Sequence, residues 1–479
     1  MRPVSAKTAG HARGMRASTL LAAVVAALAA AFAVTLPASD PDLFWHLASG
    51  DWMLDHGRLL DHDVFSFTRA GAPYASGQWL GQLALALAFR AGGWVGIDVL
   101  RAALVGMGAF FLARAVLRVQ PHPAWAAPPL LAALLVTKIV WGDRPQLFTL
   151  ALFPLVLDIL LAARLDGRLR RLAVVPPLLV LWANLHGAFP VGLALVAIFT
   201  IEAALARARW RPFALALAAA ALASQLNPAS GGALGWAAAY AATSAGFIVE
   251  ERPPDILTGP GLAFAALLLA ALASALALGR EGISRALGAP LLWPGLVVPF
   301  ALLGLAIQRQ LPLACVVLAP FVAGAVPAAL GRVPALAPLV PRPLGVLAAV
   351  VLAGAVATTV ALAAPRSPDL TGYPAGALPA LRAARGNLLN EYDWGGFLIR
   401  EAPEHPVFLD GRGALLYVPG VLDEFERAVR LRPGFRAPLV ERDIRLVLLR
   451  PERPLVEVLR DEGWWTLASG ARFVLLARP

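Results

Sequence analysis

The chain has a single cysteine, Cys315, in 479 residues. It sits in an apolar run, so it can form no disulfide within the chain and no cysteine-based metal site, and it says nothing about redox compartment. Lysine is nearly absent: only Lys7 and Lys138 occur, and arginine carries almost all of the formal charge of +11. Charged residues of both signs make up only 15% of the chain, against about 25% in soluble domains. Hydrophobic residues reach 59% and the mean hydropathy is +0.70. A soluble globular protein is thereby excluded and a polytopic membrane protein is indicated. A sequence pI near 10.9 would suit a nucleic-acid binder. The arginines, however, fall in short loops between apolar runs, where positive residues set orientation, so no nucleic-acid partner is expected. No internal repeat, heptad array or cleavable signal is evident.

Apolar runs lie at 17–36, 94–117, 124–141, 145–163, 172–186, 187–206, 212–226, 261–278, 289–307, 311–330 and 343–363. Each is near the length of about 20 residues that crosses a bilayer core. Together they predict an all-α transmembrane bundle of about 11 helices over 1–364. The segment 79–91 is read as a re-entrant or interfacial helix inside a long first outer loop, 37–93. Arginines concentrate in alternate loops: Arg2, Arg13 and Arg16; Arg114 and Arg118; Arg164, Arg168, Arg170 and Arg171; Arg207, Arg209 and Arg211; Arg280 and Arg285; Arg332 and Arg342. That asymmetry places the N-terminus inside, and an odd number of spans then places the C-terminal tail outside. The tail, 365–479, is charged and turn-rich. Strand-like PVFLD, IRLVLLR and ARFVLLA alternate with helical VLDEFERAVRL, which predicts an extracytoplasmic α/β domain.

Sorted by side, the polar residues that do not suit a lipid-facing helix collect on the outer face. They are Asp40, Asp42 and His46; Asp143, Arg144 and Gln146; Asn184 and His186; Gln225 and Asn227; Glu250, Glu251, Arg252 and Asp255; and Gln308, Arg309 and Gln310. Ionisable groups at a membrane boundary are costly and point to function. Carboxylates such as Asp42 and Asp143 can act as a general base or hold a divalent cation, Mg or Mn, while Arg144, Arg309 and His186 suit a phosphate. Acids beside phosphate-binding cations suggest transfer from a lipid phosphate.

The Asp40-Pro41-Asp42 sequence after the first run resembles the acidic motif of the GT-C superfamily of membrane glycosyltransferases, which use polyprenyl-phosphate sugar donors. Asp143 stands where oligosaccharyltransferase-like members carry a second acidic motif, although Arg144 and Pro145 follow it here. DPDLFWHLASGDWMLDHG, DVFSFTRAGAPYASGQWL, RPQLFTL, WANLHGAF, NEYDWGGFL and FLDGR, in that order, are similar to bacterial multi-span proteins presumed to be glycosyltransferases. The Tyr392-Asp393-Trp394-Gly395-Gly396 run loosely resembles an acceptor motif of oligosaccharyltransferases. The resemblance implies a multi-pass protein of the bacterial inner membrane with a periplasmic C-terminal domain. Its partners would be a polyprenyl-phosphate sugar, membrane lipids and a lipid, glycan or protein acceptor.

Each candidate has a plainer reading. Asp40 and Asp42 can cap the helix that begins near Leu43; His46, at i+4 from Asp42, can be an ordinary hydrogen-bonded histidine. Trp45 suits an interfacial anchor. Asp51, Asp55, Asp61 and Asp63 read as a solvated acidic face, and the FSFTRAG run as an extended loop. Asp143 and Arg144 can neutralise one another, and Asn184 can satisfy broken backbone. Glu250 to Asp255 read as a solvated loop or as a flap over the donor. The expected function is sugar transfer on the outer face, with Asp42, His46 and Asp40 as catalytic candidates. Arg144, Asn184, His186, Gln308, Arg309, Asp393 and Trp394 would bind substrate, and Asp42 with Asp143 would hold any metal. The rivals are a transporter or lipid-handling protein, and a non-catalytic envelope scaffold.

Overall fold

The computed structural model describes residues 4–74, 76–229, 232–244, 249–331, 353–356, 358, 368–418 and 420–479. Twelve helices are followed from α1 (Val4–Val34) through α2 (Pro41–His56), α3 (Trp79–Val119), α4 (Pro123–Thr137), α5 (Gln146–Leu165), α6 (Val175–Leu185), α7 (Pro190–Leu205), α8 (Arg211–Ala223), α9 (Gly232–Ser244), α10 (Gly259–Leu287) and α11 (Leu292–Ala306) to α12 (Leu311–Ala329). Among the described residues, six segments are long and apolar enough to cross a membrane: Ala17–Val34, Trp79–Val119, Pro123–Val140, Gln146–Leu165, Gly259–Leu287 and Gln308–Ala329. Helices α7, α8 and α11 are apolar but shorter. The protein is a multi-pass membrane protein, and among the described residues six of its helices are of full crossing length, against the eleven runs read in its sequence. The run at 343–363 lies almost wholly outside the described residues.

Proline and glycine account for the shortening. Helices α6, α7 and α8 each carry proline at the first or second position, where no amide donor is required. The 79–91 segment joins the following span as one helix, α3, broken at Gly93, where φ is +58°. Helices α5 and α12 form the centre, with all but a few of their residues buried, packed on α3, α4 and α10.

The tail folds around a four-stranded sheet in the order β1 (Asn387–Asn390), β2 (Ile444–Leu449), β4 (Val474–Ala477), β3 (Trp465–Ser469). β1 and β2 are parallel; β2 with β4, and β4 with β3, are antiparallel. IRLVLL and VLLA are the central strands and VLDEFERAV is helical, as their patterns predict. PVFLD is not a sheet strand. It lies extended against the first outer loop, where Val407 N–H donates to Phe65 O at 3.0 Å and Phe67 N–H to Val407 O at 3.2 Å. Thr68 Oγ1 donates to Phe408 O at 2.6 Å. The FSFTRAG run is therefore the seam joining the outer loop to the tail.

That seam is pinned by a buried ion cluster. Arg412 bonds Asp410 at 2.6 Å and Asp63 at 2.6 Å, with all three side chains fully shielded from solvent. Tyr417 Oη donates to Asp410 at 2.7 Å and Ser66 Oγ to Asp63 at 2.5 Å. Asp63 is thus no solvated residue, while Asp51 and Asp55 are tied to Arg90, and Asp51 also to Arg400. Replacing Arg412 with Met would leave two carboxylates buried without a cation. We expect a stability loss of about 3–5 kcal/mol, read as a lower unfolding temperature and faster proteolysis of the tail.

Candidate active site

Asp40 ends the loop after α1 and takes the N-cap position of α2, its Oδ1 accepting the Asp42 amide at 3.0 Å. The capping reading is correct for Asp40, but its second oxygen has another partner: Arg144 Nε at 3.3 Å. Asp42, in the first turn of α2, meets the same guanidinium through Oδ2, 3.3 Å from Nη1. Glu250 completes the set, with Oε1 and Oε2 at 2.9 and 3.0 Å from Arg144 Nη2. Three carboxylates, two from the start of α2 and one from the loop before α10, converge on one arginine.

Asp143 does not join them. Both its oxygens accept from Arg101 Nη1, at 2.8 and 2.7 Å, and both side chains are buried. Arg101 also bonds Asp98 and the carbonyls of Ala33 and Leu36. Consecutive side chains in the Gly142–Pro145 turn thus diverge, Asp143 to Arg101 and Arg144 to Asp40, Asp42 and Glu250. This corrects both earlier readings of Asp143, as a metal ligand with Asp42 and as a mutual pair with Arg144. Converting Arg101 to Ala strands two acids and two carbonyls, and we expect a loss of about 3–5 kcal/mol in thermal or denaturant unfolding. Among the described residues no group of three His, Cys, Asp or Glu side chains could hold a metal ion. The guanidinium of Arg144 stands where the carboxylates meet. A Mg or Mn site built on Asp42 and Asp143 does not fit these contacts.

His186 follows α6 and faces Thr149 of α5, with Nδ1 2.8 Å from Thr149 Oγ1. Thr149 Oγ1 already accepts the Trp182 indole N–H at 2.8 Å, so its own proton goes to His186 Nδ1, which also receives the Ala188 amide at 3.4 Å. Two donors on Nδ1 leave the proton of the neutral ring on Nε2. His46, buried on α2, has Gln82 Nε2 3.4 Å from its Nδ1 and lies under the Trp45 indole, ring centroids 3.6 Å apart. Burial, with Arg144 and His186 nearby, holds His46 well below the usual histidine range, so it stays neutral.

Arg309, in the short turn between α11 and α12, pairs with Glu251 at 3.2 Å and bonds Tyr240 of α9. The acid it lacks in sequence is supplied from 58 residues away. Glu250 and Glu251 therefore each meet one arginine, which corrects the view of that loop as merely solvated. Gln308 is half-buried, and its backbone N–H donates to Arg252 O at 2.8 Å.

Burial is the main influence on the Asp42 carboxyl, and with Asp40 beside it raises its pKa to about 6, against the pull of Arg144 and of the Trp45 and Arg144 hydrogen bonds. Such a carboxylate is ionised at neutral pH and basic enough to take a proton. Arg144 is held charged by Asp40, Asp42 and Glu250, whose attraction outweighs the cost of burying it.

No family model and no curated protein sequence matches the chain. Solved structures do. An oligosaccharyltransferase, AglB from Archaeoglobus fulgidus, in complex with an inhibitory peptide and a dolichol-phosphate, superposes with a TM-score of 0.54 at 13% identity, over 90% of this chain and 69% of that one. An Archaeoglobus fulgidus oligosaccharyltransferase tethered with an acceptor peptide gives the same figures. ArnT from Cupriavidus metallidurans, in the apo state, superposes with a TM-score of 0.52 at 13% identity, over 99% of this chain and 98% of that one. Both are GT-C membrane glycosyltransferases. The chain has the GT-C fold.

Within this GT-C fold, three of the candidate substrate residues have other work. Asn184 accepts the Trp79 indole N–H at 2.7 Å and donates to the Val180 and Leu226 carbonyls, each at 2.9 Å. It ties α3, α6 and the end of α8 together, as its plainer reading held. Trp394 is buried and donates to Gly372 O at 3.0 Å, so it is core rather than a substrate platform. Asp393 pairs with Arg450 at 2.8 Å on the tail surface. The tail also brings backbone to within contact of α2. A Cβ on Gly396 would stand 2.9 Å from Pro41 O, and one on Gly411 would stand 2.2 Å from Asp42 Oδ1. The YDWGG and FLDGR motifs are the points where the tail presses on α2.

Proposed function

We propose that the chain is a glycosyltransferase that moves a sugar from a polyprenyl-phosphate donor to a hydroxyl acceptor on the outer face of the bacterial inner membrane, with the tail in the periplasm. The observation that carries this reading is the Asp42–Arg144 contact: a carboxylate of raised basicity shares a half-shielded pocket with a cation, and His186 and Arg309 lie within electrostatic range of the same place. General-base and phosphate-binding groups side by side suit displacement of a lipid phosphate. The GT-C fold, and the dolichol-phosphate held by the archaeal oligosaccharyltransferase structure, support the same donor class.

In this mechanism the acceptor oxygen attacks the anomeric carbon as its proton passes to Asp42. The bond from that carbon to the phosphate oxygen breaks, the electron pair leaves with the phosphate, and the configuration inverts. Arg144, Arg309 and the Nε2–H of His186 stabilise the departing charge, a task worth several kcal/mol in a water-poor pocket. Donor phosphate would displace Glu250 and Glu251 from the arginines they occupy. The inner-end acids argue for a site open to one side only: Asp158 is neutralised by Arg114 and Arg118, and Glu202 by Arg164.

The test is incubation of membranes containing wild-type or Asp42→Asn protein with a panel of labelled polyprenyl-phosphate sugars. Label should move into an acceptor only with the wild type. Equal transfer by both proteins would sink the role given to Asp42.

A further inference from the structure

The two oxygens of Asp42 have different surroundings. Oδ2 faces Arg144, while Oδ1 accepts the Trp45 indole N–H at 2.9 Å, one turn further along α2. Gly411 of the tail closes over that hydrogen bond: a Cβ there would stand 2.2 Å from Asp42 Oδ1 and 2.7 Å from Trp45 Nε1. Gly396 closes on the other side, where a Cβ would be 3.2 Å from the Trp45 amide nitrogen. Trp45 is 4% exposed, too deep for an interfacial anchor, and its indole lies on His46. The ring is therefore fixed by α2 and by two glycine turns of the tail. The Gly411 turn is itself clamped by the Asp410–Arg412–Asp63 cluster on either side of it.

We propose that Trp45 is a positioning residue: its N–H holds Asp42 Oδ1 against the Gly411 turn, so that Oδ2 is the oxygen offered to the acceptor, and the C-terminal domain completes the site through that contact. The proposal rests on the reading of Asp42 as the base. It gives the tail a role in chemistry that requires no tail side chain to touch substrate. It also explains why glycine stands at 411, since any side chain would push the indole and the carboxylate apart.

An N–H donated to a carboxylate favours its ionised form. The other groups facing Asp42 are Asp40, Arg144, Tyr240, Tyr373 and Tyr392, with Glu250 beyond Arg144 and the neutral His46 behind the indole. None of them changes in Trp45→Phe, which keeps the buried ring and deletes the donor.

The experiment measures thermal unfolding of the full-length protein in nanodiscs from about pH 4 to 8, for wild type, Asp42→Asn, Trp45→Phe and the double variant. Subtracting each Asn variant from its Asp parent isolates the titration of Asp42 without any substrate. The midpoint should rise by roughly half a pH unit or more when the donor is lost. In transfer assays with whichever labelled polyprenyl-phosphate sugar the wild type uses, kcat should fall about tenfold with KM for the donor unchanged. Gly411→Ala should give the same kinetic signature. An unfolding temperature lowered equally at every pH, with the Asp42 midpoint unmoved, would make Trp45 a packing residue and overturn the proposal while leaving the base intact. Equal transfer by wild type and Asp42→Asn would instead overturn the base, and with it the catalytic part of the proposal, whatever the midpoint does.

Discussion

Asp42→Asn is expected to lower sugar transfer by about 10²–10⁴-fold, the usual worth of a general base, without unfolding the protein. The substitution keeps the shape of the side chain and an oxygen for the Trp45 N–H, and Asp40 and Glu250 still neutralise Arg144. Its effect on stability can be signed. The folded pKa of Asp42, about 6, lies above the ordinary 3.8, so the folded state binds this proton more tightly than the unfolded chain does. Stability therefore falls as pH rises from about 3.8 to about 6 and is level above that. The Asn variant lacks this slope, so at neutral pH it should be no less stable than wild type, and lost activity cannot be put down to lost fold. Wild-type transfer should itself drop as pH falls through about 6, because the base is then protonated. A pH–rate profile with no such limb, beside an Asn variant that retains activity, would remove Asp42 from the chemistry.

The parts of this site that could be read from sequence are those fixed by local chemistry. Asp40-Pro41-Asp42 reads as a helix start with an acid to spare, and the structure uses Asp40 in both ways. The arginine bias between runs, the charged tail and the strand patterns of IRLVLL and VLLA are equally local. Partner choice is not. Asp143 and Arg144 are neighbours, yet one turns to Arg101, 42 residues earlier, and the other to Glu250, 106 residues later. The hint was Asp98 and Arg101 at i and i+3 within an apolar run, a costly placement that demands further partners. Trp394 reads as a substrate-binding aromatic in a motif, but the tail buries it, with Gly395 pressed on the Leu409–Asp410 backbone and Gly396 on α2. Asp63 looks solvated until Arg412 arrives from 349 residues away.

Arg144→Gln should be as damaging as loss of the base, for a reason that pH can separate into parts. The guanidinium lowers the Asp42 pKa against burial and the Asp40 charge. Without it, Asp40, Asp42 and Glu250 face one another unscreened, and Asp42 takes up a proton at neutral pH. At pH 7 transfer should fall by a factor on the order of 10²–10³, the cost of removing a donor aimed at developing charge. Raising the pH should recover the part of the loss that comes from a protonated base. It should not recover the part that comes from a missing phosphate ligand, which appears as a raised KM for the donor. Arg144→Lys keeps the charge and should hold the Asp42 limb near its wild-type position, but an ammonium lacks the planar fork that reaches three carboxylates at once, so weakened donor binding should persist. A Gln variant within a few-fold of wild type at all pH values would show that the pocket does not need this cation, and the lipid phosphate would have to be held elsewhere. If the loss is the same at every pH, Arg144 serves the phosphate alone and Asp42 is kept ionised by the solvent that reaches its partly open side chain, 28% exposed.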